Sequence, residues 1–113
     1  MNFYLLTGRQ VAIFCKVTDQ VVTISIEGSF DVSCYDAFNE LYKPYLSSVD
    51  SVFVIDMAQT TYLDSSALGM LLLLRERTGG VKGRIRIVNV GEAVMEILKV
   101  AHFDQLFSVE VRS

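Results

Sequence analysis

Val22, Ile24 and Ile26 alternate with Thr23, Ser25 and Glu27, the period of a strand with one buried face. The preceding run, Val11-Ala12-Ile13-Phe14, is β-branched and aromatic, and Thr18-Asp19-Gln20 between the two predicts a hairpin. Gly28-Ser29 ends the second strand. From Ser33 the period lengthens: Tyr35, Phe38, Tyr42 and Tyr45 lie three, four and three residues apart, a single helical stripe. Pro44 is expected to kink or stop that helix, because it lacks an amide hydrogen and its ring clashes with the Glu40 carbonyl. Val52-Phe53-Val54-Ile55 is short and continuously apolar, which predicts a central strand covered by helices on both faces.

A long helix is predicted from Ser65 to Thr78, stopped by Gly79-Gly80. Ile85-Arg86-Ile87-Val88 follows as a strand. Glu92 to Ala101 is then a helix whose Val94, Ile97, Leu98 and Ala101 repeat at i, i+3, i+4 and i+7, and Leu106 to Val111 adds a short last strand. Strands alternating with helices after an opening hairpin predict one α/β domain over residues 1–113, a mixed sheet with helices packed against it and right-handed parallel crossovers. The order of the strands does not follow from the pattern.

Composition narrows the function. At 113 residues and 51% hydrophobic, the chain can bury one core without a disulfide or metal staple. Cys15 and Cys34 are therefore read as buried, inert thiols. Two cysteines at unrelated positions, with no basic-then-apolar leader at Met1, predict a reducing cytoplasmic setting. Net charge is −3, whereas direct nucleic-acid binders carry a basic face, so any effect on transcription is expected to run through protein. The longest apolar run, Ala67 to Leu74, spans eight residues, well short of the roughly 20 that cross a bilayer. One histidine and two separated cysteines offer no metal-ligand spacing, and Gly79, Gly80 and Gly83 lack the phosphate-loop pattern. No metal and no cofactor are expected.

The most informative segment runs from Tyr62 to Arg75. Asp64, Ser65 and Ser66 are all competent helix caps, worth about 1 kcal/mol. Yet Ala67, Leu68, Gly69, Met70 and Leu71 to Leu74 surround the whole helix with apolar groups, and a sheet on one side hides only part of such a surface. Gly69 costs about 1 kcal/mol relative to Ala in a helix interior, so a bare backbone there is expected to permit close approach. A phosphate on Ser65 would add about −1.5 to −2 charges at the rim of that surface. The helix N-terminus tolerates the anion, but a docked partner built around a neutral hydroxyl does not.

Gly28-Ser29-Phe30-Asp31, Val54-Ile55-Asp56-Met57, Leu63-Asp64-Ser65-Ser66-Ala67-Leu68-Gly69 and the closing Ala101-His102-Phe103-Asp104-Gln105-Leu106-Phe107 together resemble the STAS domain of bacterial anti-sigma factor antagonists. The resemblance covers about residues 10 to 110; Met1 to Arg9 match nothing in it, and Ala67 replaces the family's usual glycine. It implies a non-catalytic partner-switching protein: the unphosphorylated domain binds an anti-sigma factor, often itself a serine kinase, phosphorylation of Ser65 ends the interaction, and a PP2C-type phosphatase restores it. The partner-binding residues it implies are Asp31, Asp64, Ser65, Ser66, Leu68, Gly69 and Leu72, in a monomer or weak dimer with no membrane insertion.

Three rival readings follow from the same residues. A hydrolase would use Asp64, Ser65 and His102 as a triad, but Asp-Ser-Ser-Ala-Leu is not a Gly-x-Ser-x-Gly elbow. His102 instead reads as a helix-end cap. A receiver would use Asp56 as phosphoacceptor, but Cys15-Lys16-Val17-Thr18 lacks the acidic pair that holds magnesium; Asp56 reads as a loop buttress. The third keeps the fold and makes the chain a STAS subunit of a membrane transporter or lipid-trafficking ABC complex.

Overall fold

The predicted hairpin is present and sits one strand in from the edge of the sheet. In the computed structural model, which describes residues 2–6 and 11–112, β1 (Asn2–Leu6) pairs antiparallel with β2 (Val11–Thr18), which pairs antiparallel with β3 (Val21–Phe30). The opening segment that matches nothing in the family pattern thus contributes an edge strand. Its residues 7–10 lie outside those described. Asp19 takes a positive φ of 56° at the β2–β3 turn, a conformation that Asp tolerates better than most residues.

From β3 the sheet grows by parallel pairing: β4 (Val52–Asp56) joins β3, β6 (Ile85–Val90) joins β4, and β7 (Ser108–Val111) joins β6. Among the described residues the order is β1-β2-β3-β4-β6-β7. A further strand, β5 (Thr60–Leu63), pairs in parallel with the end of β3. The register shifts between Gly28 and Ser29, where Gly28 has a φ of 99° and donates to the Gln59 carbonyl. That left-handed glycine re-aims β3 past β4 so that Ser29 and Phe30 face Tyr62 and Leu63.

Three helices provide the crossovers: α1 (Tyr35–Tyr42), α2 (Ser65–Arg77) and α3 (Glu92–Val100). Pro44 does end α1, which passes into a 3-10 turn at Lys43–Tyr45. The expected tyrosine stripe is corrected in part. Tyr42 is fully buried, but Tyr35 is 47% exposed, and Ala37, Phe38 and Leu41 share the buried face. Phe30, Phe38, Tyr42 and Phe53 stack in sequence with centroids 5.3, 5.4 and 6.4 Å apart, tying β3, α1 and β4 together.

The expectation that β4 is covered on both faces fails. Phe53, Ile55 and the following Met57 are buried, while Val52, Val54 and Asp56 are only partly covered. The core lies on one face, against Ile13, Ile24 and Ile87 of the neighbouring strands. On the other face Lys16, Thr23, Val54 and Arg86 form a row in register, with Lys16 and Arg86 exposed. Continuous apolarity here reflects the β-branched preference of a strand and no second helix layer.

Two arginines at the start of β6 are engaged within the fold. The Arg84 guanidinium donates to the carbonyls of Ser51, Thr78 and Ser48, and Arg86 pairs with Glu110 across β6 and β7.

Candidate functional site

Asp64 decides where α2 begins. Its backbone is extended and its carboxylate accepts from the Ala67 amide at 2.9 Å, so it satisfies one of the donors a helix start leaves open. Ser65 is the first helical residue and is exposed; Ser66 is half-buried. Capping therefore falls to the aspartate and leaves the Ser65 hydroxyl at the surface. At the far end Thr78 bonds back to the carbonyls of Leu74 and Arg75, and Gly79 and Gly80, with φ of 92° and 77°, close the helix.

Helix α2 is apolar all round, but its residues divide. Ala67, Met70, Leu71 and Leu74 are buried against the sheet; Leu68 and Leu73 are half-covered; Gly69 and Leu72 are exposed, Leu72 to 40%. Ser65, Gly69 and Leu72 stand at i, i+4 and i+7, so they form one outward stripe. A Cβ built on Gly69 meets nothing within 4 Å. Within this chain the glycine is not required for packing.

A second element borders that stripe. The Asp64 amide donates to the Phe30 carbonyl at 3.3 Å, tying the start of α2 to the end of β3. There Asp31 accepts from the Ser33 amide at 3.0 Å and from the hydroxyls of Ser33 and Ser29, and caps a 3-10 turn at Val32–Cys34 that packs on α2. Val32 on this turn is 64% exposed and Tyr35 at the start of α1 is 47% exposed. The fold thus brings Asp31 beside Asp64 and sets apolar groups on either side. The sequence reading missed Val32 and Tyr35. Their signal was available in Asp31-Val32-Ser33, an Asp cap with an apolar residue directly after it.

Cys34 lies beneath this corner, fully buried, its thiol donating to the Ser29 carbonyl at 3.7 Å. Burial pushes the thiol pKa up, against the lowering influence of a hydrogen bond with the Asp31 backbone. Cys15 is likewise buried and raised by burial, and burial raises the Tyr42 hydroxyl against the lowering influence of Arg77. A group raised on folding holds its proton more tightly in the native state. Its contribution is complete below the unfolded pKa and is lost as pH rises toward the folded value. Unfolding midpoints in urea are therefore expected to fall as pH rises above about 9; midpoints that climb there would contradict the buried thiols and phenol.

The other candidates resolve simply. Asp56 accepts from the Ala58 amide at 3.0 Å and from the Asn89 side chain at 3.1 Å, the expected loop buttress. His102 is exposed, left-handed at φ 61°, and its amide closes α3 on the Lys99 carbonyl; its side chain bonds to neither Asp64 nor Ser65. The three residues of the rival hydrolase reading are not joined. No group of metal-ligating side chains occurs among the described residues, and no helix in them is long and apolar enough to cross a membrane.

The exposed Ser65 hydroxyl thus stands at the start of α2 beside two capping carboxylates, Asp31 and Asp64. The model of the family described as "Mlab, STAS domain" matches residues 14–109, and a STAS-domain containing protein of Pseudomonas aeruginosa (strain UCBPP-PA14) is 41% identical over 90 residues, 80% of this chain and 88% of that protein. The chain belongs to the STAS domain family. Among solved structures, an anti-sigma factor antagonist from Mycobacterium paratuberculosis superposes with a TM-score of 0.77 at 21% identity, covering 94% of this chain and 90% of that one. The phosphorylated form of the Bacillus cell fate determinant SpoIIAA superposes with 0.66 at 15% identity, covering 86% and 89%. At these identities the superpositions establish the shared fold.

Proposed function

We propose that this chain is an anti-sigma factor antagonist, a cytoplasmic partner-switching protein that binds an anti-sigma factor while Ser65 is unmodified and releases it when Ser65 is phosphorylated. The observation that carries the reading is the division of labour at the start of α2. Asp64 occupies the cap, so the exposed Ser65 hydroxyl is free of structural duty and open to a kinase. Two relatives in fold are named as antagonists or occur in phosphorylated form, which agrees with this role.

The docking face comprises the Ser65–Gly69–Leu72 stripe with Leu68 and Ser66 beside it, bounded by Asp31 and Asp64. Exposed Leu72 and half-covered Leu68 supply apolar anchors; Gly69 lets a partner approach the backbone. The kinase is the anti-sigma factor itself or a serine kinase of that kind, and a PP2C-type phosphatase reverses the mark. The domain does no chemistry of its own and needs no metal or cofactor to bind.

Co-purification with the tagged full chain from its native host tests the reading. Wild type is expected to retain a soluble ATP-binding anti-sigma factor that Ser65→Asp loses. Retention of a membrane ATPase by both forms would instead make the chain a STAS subunit of a transporter or lipid-trafficking complex.

A further inference from the structure

All three helices lie on one side of the sheet, and the topology explains why. The connections from β3 to β4, β4 to β6 and β6 to β7 contain α1, α2 and α3, and each steps one place further from β2. Right-handed crossovers that all step in the same direction put their helices on the same face. Buried residues of α1, α2 and α3 accordingly share one core with Ile13, Ile24 and Ile87, and among the described residues no helix covers the opposite face. The Lys16 row described above crosses that open face. Next to it, in register, come Phe14, Ser25, Asp56 and Val88, and in the row after that Glu27 stands beside Ala12.

Charge on this face is ordered along the strands. Lys16 and Arg86 share one row, and Glu27 lies two rows away, about 13 Å at 3.3 Å per residue. Arg86 pairs with Glu110, and the Asp56 carboxylate in the middle row is held by the Ala58 amide and Asn89. Lys16 and Glu27 are exposed, and neither has an ion-pair partner among the described residues. Together with Phe14, Thr23, Ser25 and Asp56 they line one open depression of about 400 Å³.

We infer that a second copy of this chain occupies the open face, stacked sheet on sheet about a two-fold axis. An axis that crosses the strands near the Phe14–Ser25 row lies midway between the Lys16 and Glu27 rows and exchanges them. Lys16 of one copy then lies over Glu27 of the other, and by symmetry the pair forms twice. Packed sheets stand about 10 Å apart, a gap that a lysine and a glutamate reaching from opposite sides can bridge. Half-covered Phe14, Val54 and Val88 fall between the two pairs as an apolar centre. Asp56, close to the axis, meets its own copy with a carboxylate already engaged inside each chain. A partner of uniform charge would oppose either Lys16 or Glu27 with its like, whereas the same face turned over meets both with their opposites. The α2 stripe belongs to the helix layer on the far side of the sheet, so both copies keep it open, and the dimer forms whatever the state of Ser65.

Sedimentation equilibrium of the full chain over about a thousandfold range of concentration is the test. Wild type is expected to pass from monomer to dimer. Lys16→Glu and Glu27→Lys should each weaken the dimer about tenfold or more, because like charges then oppose each other at two symmetric places. Both side chains are exposed, so the fold should tolerate either change. An equal mixture of the two variants should dimerise within about threefold of wild type, since every altered residue then meets its opposite on the other copy. Glu96→Lys, exposed on α3, should change the dimer less than about twofold. A chain that stays monomeric throughout, or single variants that dimerise as well as wild type, overturns the inference. So does a mixture that dimerises no better than either variant alone, because the Lys16 to Glu27 pairing is then absent.

Discussion

Ser65→Asp is expected to weaken binding of the proposed anti-sigma factor partner by about 100-fold or more while leaving the fold as stable as wild type. Both halves follow from position. Ser65 is the first residue of α2, where the helix dipole favours an anion by about 0.3 to 1 kcal/mol, so the added carboxylate does not threaten the domain even beside Asp64. In the docked complex the same carboxylate loses water without gaining a partner, a penalty of several kcal/mol, and each 1.4 kcal/mol is about tenfold. Gly69→Ala is the companion variant. The new methyl meets nothing within 4 Å inside the chain and improves helix propensity by about 1 kcal/mol, yet it occupies the stripe and should also shorten the complex. Calorimetric affinity, surface-based dissociation rates and thermal midpoints measure all three quantities; unchanged affinity in both variants would remove the docking stripe.

Phe38→Ala is expected to destabilise the domain by about 3 to 5 kcal/mol. Phe38 is fully buried at the middle of the aromatic stack, 5.3 Å from Phe30 and 5.4 Å from Tyr42. Its loss leaves a cavity under α1 that neither neighbour can fill without leaving its own contacts. Edge-to-face packing adds about 0.5 to 1.5 kcal/mol per pair beyond buried area. Tyr42 is held at the same time by Asn39 at 2.9 Å and Arg77 at 3.1 Å, so it is not free to collapse inward. Urea denaturation measures the effect, and a loss below about 1 kcal/mol would mean that the core relaxes around α1. A large portion of wild-type stability is expected to reside here, because this stack joins β3, α1 and β4 across one face of the sheet.

Several parts of the molecule were legible from local sequence. The alternation of Val22, Ile24 and Ile26, the stop at Pro44 and the double glycine after α2 all act through atoms within about four residues, and each appears in the fold where it was expected; the cap, left open among Asp64, Ser65 and Ser66 by the sequence, falls to Asp64. The family motif around Leu63-Asp64-Ser65-Ser66-Ala67 belongs to the same class, since a helix start is a local object. Strand β5 was not legible. Thr60 to Leu63 is too short and mixed to announce itself, and it becomes a strand because Gly28 turns the end of β3 toward it and the Thr60 hydroxyl bonds the distant Ile26 carbonyl at 2.6 Å. The one-sided burial of Val52–Asp56 was misjudged for a related reason: β-branched residues suit an extended strand whichever face is covered.

For the candidate site the boundary falls in the same place. Sequence alone determined that α2 starts with an aspartate and two serines and carries apolar residues around its whole circumference, because capping and helical period are written in neighbouring residues. Tertiary structure alone decided that Leu71 and Leu74 go inward while Gly69 and Leu72 remain outside. It also brought the Asp31 turn, separated by more than thirty residues in the chain, to the mouth of the same helix. Parallel pairing of β3 with β4 and β5 sets that arrangement. Register between distant strands depends on hydrogen bonds and buried area that no short window of residues contains.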